Sequence, residues 1–140
     1  MIILDTNILS ELMVTRPAAT VIAWLDQQPW VSLWTTAITV LEIRSGLAIM
    51  PGGRRHTDRE VAFARLIESH LEHRVLPFDN AAAEEAASLS ALRHRAGKVR
   101  ELRDTMIAGI ALAQRATLAT RNVRHFDDLN VPVIDPWKGR

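Results

Sequence analysis

Five short apolar runs constrain this chain most: residues 2–5, Val31–Thr35, "RVLPF" at 74–78, "TLAT" at 117–120 and "VPVI" at 131–134. Runs of this length read as strands, and an Ile-rich one as a strand covered on both faces. The stretches between the first four are longer and carry helical spacing. A helix is expected after Arg16-Pro17, where Pro suits a first turn. It ends before Pro29 and turns Val21, Ile22, Trp24 and Leu25 inward. Residues 37–49 place Ile38, Leu41, Leu47 and Ala48 at helical spacing, with Ile43 beside them. "PGGRR" at 51–55 breaks the chain and reads as a mobile loop. Residues 57–72 form the next helix, with Val61, Leu66 and Ile67 toward the core. Asp79-Asn80 caps a long Ala-rich helix to about Ala96, stopped by Gly97. Another helix runs from about Arg103 to Arg115, and its "IAGIALA" stretch is small enough for close packing. Strands alternating with helices predict an α/β fold, a three-layer α/β/α domain over residues 1–140 with a central parallel sheet.

Several function classes are excluded by what the chain lacks. There is no cysteine, so no disulfide framework, thiolate nucleophile or thiolate metal site. No apolar run approaches the ~18 residues of a membrane span. The amino terminus lacks the basic, apolar and small-residue succession of a secretory signal, and a cytoplasmic protein is expected. The net charge of +1 is unevenly spread. Residues 1–89 hold 7 Lys+Arg against 11 Asp+Glu, whereas residues 90–140 hold 10 against 5. The basic excess gathers at Arg93, Arg95, Lys98, Arg100 and Arg103, then at Arg121 and Arg124, then at Lys138 and Arg140. Such an excess fits either a solvated helix face or a phosphate-binding surface.

Three acids are candidates for chemistry, provided the strand order, which the sequence does not show, brings them to one edge. Asp5 ends the first strand, at the edge where open α/β sheets bind ligands, and Asp-Thr-Asn also suits a helix cap. Glu42 lies in an apolar helical run, where charged residues are seldom buried unless paired. Asp104 starts the helix before the fourth strand, where a carboxylate also complements the helix dipole. Thr120, Arg121 and Asn122 follow that strand.

"MIILDTNILSEL", "TTAITVLEIRSGLA", "LRDTMIAGIALAQRATLATRNVRHF" and "VPVIDPW" together resemble a PIN-domain ribonuclease. More closely, they resemble the VapC-type toxin of bacterial toxin–antitoxin pairs, in its FitB-like branch. The likeness covers nearly the whole chain in order and spacing. It implies an acidic core of Asp5, Glu42 and Asp104, with Gly46 completing the motif of Glu42. The family's fourth, often acidic position falls on Asn122. The acid usual before the Phe of that motif is His125 here, which leaves Asp127 and Asp128 as candidates to compensate. The resemblance also implies RNA as substrate, a homodimer, and a ribbon-helix-helix antitoxin whose tail lies over the helices of the first half and reaches the active site.

The chemistry agrees with that likeness. Converging carboxylates repel in a partly desolvated site unless a divalent cation neutralises them. Oxygen-only donors point to Mg²⁺ or Mn²⁺ rather than Zn²⁺. Asp5 and Asp104 are the expected principal ligands, and Glu42 a direct or water-mediated one. Asn122 is expected to be a weak ligand or a hydrogen-bond donor to substrate. Thr6, Asn7 and Thr120 support the ligands from behind, and Arg121 and Arg124 hold the RNA backbone. Two other strand-end Asp chemistries fit poorly. Asn7 stands where a haloacid-dehalogenase-type phosphatase needs a second Asp, and neither lysine suits a phospho-receiver domain. A non-catalytic PIN-like binding module is the alternative from a different class.

Overall fold

A computed structural model describes residues 1–138. Arg140, the last of the basic excess, lies outside the described residues. The strands are β1 (Ile2–Leu4), β2 (Leu33–Thr36), β3 (Val75–Leu76), β4 (Thr117–Ala119) and β5 (Val133–Ile134). The helices are α1 (Thr6–Leu12), α2 (Ala19–Asp26), α3 (Ala37–Ile49), α4 (Arg54–Arg65), α5 (Asn80–Arg95) and α6 (Leu102–Gln114). All pairings are parallel, in the order β3-β2-β1-β4-β5. The chain steps outward from β1 to β3, then returns to add β4 and β5 on the other side. This reversal opens a crevice beyond the carboxyl ends of β1 and β4.

Period-two alternation along the strands divides the interior into two cores. Leu4, Leu33 and Ala119 face one cluster with Ile8, Trp24, Ile43 and Phe63, from α1 to α4. Ile3 and Leu118 face the other, with Leu89, Ile107 and Ile110 from α5 and α6. The expected three-layer α/β/α architecture with a parallel sheet is therefore present.

Local chemistry explains where elements begin and end. Asp5 caps α1, its Oδ1 accepting from the Thr6 N–H at 2.8 Å. Thr36 caps α3 through the Thr39 N–H at 3.1 Å, and Asp79 caps α5 through the Ala82 N–H at 3.0 Å. Gly97 follows α5 at φ 69°, a left-handed turn that glycine adopts without a side-chain penalty. The "IAGIALA" helix packs closely on α5: a Cβ on Gly109 would stand 2.5 Å from the Ala82 carbonyl oxygen.

Several boundaries differ from the sequence reading. Helix α1 follows the Asp5 cap, although apolar spacing marks no helix before Arg16-Pro17. Strand β2 starts at Leu33, because Trp30–Ser32 form a tight turn closed by the Ser32 hydroxyl on the Pro29 carbonyl at 2.7 Å. Pro17 precedes α2 rather than opening it, and α2 begins at Ala19 after the Ala18 N–H donates to Glu11. Arg54 and Arg55 belong to the first turn of α4, which continues as a wider helical turn over Leu66–His70. Leu41, Ala48 and Val61 face outward, since Ile43, Leu47 and Phe63 take the inward positions of their helices.

Candidate active site

Asp5 follows β1, Glu42 lies in the second turn of α3, and Asp104 lies in the first turn of α6. All three line one open pocket of about 490 Å³, with Asn7, Arg121 and Asn122. Parallel strands bring this about. β1 and β2 end where α1 and α3 begin, and α6 begins at the same sheet edge before the chain enters β4, so α1 and α6 turn their positive dipole ends toward the acids.

Asp5 is almost wholly buried, at 4% exposure. Its Oδ2 accepts from the Thr120 hydroxyl at 2.7 Å, and the Asn7 amide stands 3.5 Å away. Among the described residues no Arg, Lys or His pairs with it. Burial pushes its carboxyl up to about 6; the Thr120 and Thr6 hydrogen bonds oppose this, and the Asp104 and Glu42 charges add to it. Thr6 reaches across to α3, donating to Glu42 Oε1 at 2.8 Å and standing 3.0 Å from the Thr39 hydroxyl. Thr120 also accepts from the Asn122 N–H at 3.0 Å. The side chains read as supporting residues thus join the ends of β1, α3 and β4.

Two acids have basic side chains beside them. His125 Nδ1 lies 2.9 Å from Asp104 Oδ2, and Arg103 lies 3.8 Å from Glu42 Oε2. As they stand, no three acidic or histidine side chains among the described residues are gathered to hold a metal ion. The donor set nevertheless fits a hard divalent cation. Three carboxylates share a pocket, and the buried one lacks a counter-charge.

Asp127 and Asp128 do not compensate at the fourth position as expected, because neither lines the pocket. Asp128 accepts two hydrogen bonds from buried Arg93, at 2.8 and 2.9 Å, and this pairing holds its carboxyl below the usual range. Asp127 pairs with Arg100 at 3.5 Å, and Arg100 also donates to the Arg124 carbonyl. The same contacts change the reading of the basic excess. Arg93, Arg100 and Arg103 are engaged by carboxylates, while Arg121, Arg124 and Lys138 border a second hollow of about 320 Å³ next to the pocket. Sequence reasoning missed the Arg93 clamp. It joins residues 35 apart, and Arg93 resembles any other basic residue of a helix end.

A parallel α/β sheet with an acidic pocket where its strand order reverses defines a class of protein that binds ligands beyond the carboxyl ends of its strands. Residues 2–131 match the PIN domain family. The chain is 41% identical over 138 residues to "VapC ribonuclease Y4jK" of Sinorhizobium fredii, covering 99% of each chain. It is 36% identical over 140 residues to "Toxin FitB" of Neisseria gonorrhoeae, covering 98% of this chain and 99% of that one. A solved structure of FitAB bound to the IR36 DNA fragment aligns with a TM-score of 0.85 at 35% identity, over 98% of this chain and 96% of that one. The chain belongs to the PIN-domain family, among the VapC- and FitB-like toxins.

Proposed function

We propose that this protein is a metal-dependent endoribonuclease and the toxin of a toxin–antitoxin pair. The observation that carries this reading is Asp5: buried, without a cationic partner, and sharing a pocket with Glu42 and Asp104. The ribonuclease name of a relative 41% identical supports it. Asp5 and Asp104 would hold Mg²⁺ or Mn²⁺, with Glu42 as a third ligand or the residue that orients the attacking water. When bound, the cation supplies a water of lowered pKa and positive charge against the phosphate. Thr6 fixes Glu42, and Thr120 and Asn7 fix Asp5. Asn122 offers an amide to the substrate, and Arg121 and Arg124 hold phosphates on the side of the basic hollow.

The partners follow from the same relatives. FitAB was solved on DNA, which supports a DNA-binding antitoxin of the ribbon-helix-helix kind for this chain. Helices α3 and α6 pack together and expose Leu41 and Leu102, which supports a homodimer.

One observation favours the non-catalytic binding module instead: His125 and Arg103 already stand against Asp104 and Glu42. Cleavage of single-stranded RNA separates the readings. The nuclease reading expects cleavage that needs Mg²⁺ or Mn²⁺, is abolished in Asp5→Asn and Asp104→Asn, and falls at least about a hundredfold in Glu42→Gln with the fold intact. Cleavage that survives in both Asp variants would remove these residues from the mechanism.

A further inference from the structure

Of the four Trp, Trp137 lines the acidic pocket. It lies in the tight turn Pro136–Lys138 after β5, half-buried against the core beside α2. Its backbone N–H donates to Asp135 Oδ1 at 2.9 Å, which fixes the turn. The guanidinium carbon of Arg121 stands 4.8 Å from the Trp137 ring centroid. Arg121 is held at its other end too, its N–H donating to Asn7 Oδ1 at 3.1 Å. Both side chains line the pocket of Asp5 and Asp104.

Arg121 is exposed, and among the described residues no carboxylate pairs with it. Arg93, Arg100 and Arg103 have such partners. A guanidinium laid against an indole is restrained in orientation while keeping its charge. Its planar face stacks with nucleobases, as unpaired bases do on Arg and aromatic planes in single-stranded RNA recognition. Arg121 also borders the hollow that holds Arg124 and Lys138, with Asp135 among its lining residues. A strand leaving the acids toward that hollow would therefore cross Arg121 before meeting Arg124 and Lys138.

We propose that Arg121, backed by Trp137, is a stacking platform for one nucleobase flanking the scissile phosphate, and that it contributes to base preference. This rests on the RNA reading above. Lysine at 121 keeps the charge but has no planar face, and phenylalanine at 137 keeps an aromatic backing.

The test is binding in chelator, so that no metal-dependent cleavage occurs. The probes are a short single-stranded RNA and a ribose-phosphate oligomer of the same length without bases. The wild type is expected to prefer the RNA by roughly tenfold, the size of one stacked base. Arg121→Lys should lose that preference while retaining its salt dependence, and Trp137→Phe should retain both. An Arg121→Lys variant with the preference intact would overturn the platform. Equal wild-type affinity for both probes would overturn it while leaving the RNA reading standing. Binding to neither probe would overturn both.

Discussion

Asp5 is nearly enclosed, and ionising it in the folded protein works against its surroundings. Its carboxyl sits near 6 instead of 3.8, first through burial and then through Asp104 and Glu42. Below the unfolded value the group is protonated in both states. Between the two values the folded state holds a proton the unfolded chain has released, so stability falls as pH rises through that window. Above the folded value the full deficit applies, on the order of 3 kcal/mol. Asp5→Asn is therefore expected to raise the melting temperature of metal-free protein above about pH 7, with a smaller gain near pH 4. Thermal denaturation in chelator at the two pH values checks this, and a gain independent of pH would detach it from the carboxylate. The three acids were legible because Asp5 ends a strand, Asp104 begins a helix and Glu42 interrupts an apolar helical run. The His125 contact was not. That residue is read easily as a departure from an acidic position, but its placement on Asp104 depends on how the Val123–Phe126 turn is held by Arg93.

Helices α3 and α6 each carry an interior glycine, and the two are not equivalent. A Cβ on Gly109 would meet the Ala82 carbonyl oxygen at 2.5 Å and the Ala86 Cβ at 2.8 Å, whereas a Cβ on Gly46 meets nothing within 4 Å. Gly109→Ala should therefore destabilise by about 1–3 kcal/mol, because α5 and α6 must separate. Gly46→Ala should stabilise the isolated protein by about 0.5–1 kcal/mol, as alanine does in an open helical position. Denaturant titration of both variants measures this, and the same sign for both would contradict the packing. Most elements were legible from apolar spacing and caps. Helix α1 escaped because its seven residues make two turns, too few for periodicity to emerge, although Ile8 and Leu9 are buried. The outward Leu41 and Val61 show the limit of spacing alone: adjacent apolar residues compete for one inward position, and tertiary contacts choose between them.

At the scale of the whole molecule, alternation of strands and helices was enough for the layers and for parallel strands. Strand order was not legible, because it depends on which side of β1 the chain takes after β3. That order sets β4 beside β1, and so brings Asp5 and Thr120 into contact. It also leaves the positive charge of Arg121, Arg124 and Lys138 next to the acids, while Arg54 and Arg55 lie in the first turn of α4. Arg124→Ala and Lys138→Ala are each expected to lower the salt slope of RNA binding by about 0.7, one phosphate contact on a single strand. Slopes that fall only in Arg54→Ala with Arg55→Ala would move the RNA path to α4. In the proposed function Asp5, Glu42 and Asp104 act together as one cation site, despite the partners that two of them hold in the free protein. Titration of the protein with Mn²⁺, followed by the loss of the free-ion electron paramagnetic resonance signal, tests it most directly. Saturable binding is expected, weakened at least about tenfold in Asp5→Asn and in Asp104→Asn, or about 1.4 kcal/mol. Absence of binding, or wild-type affinity in both variants, would contradict it.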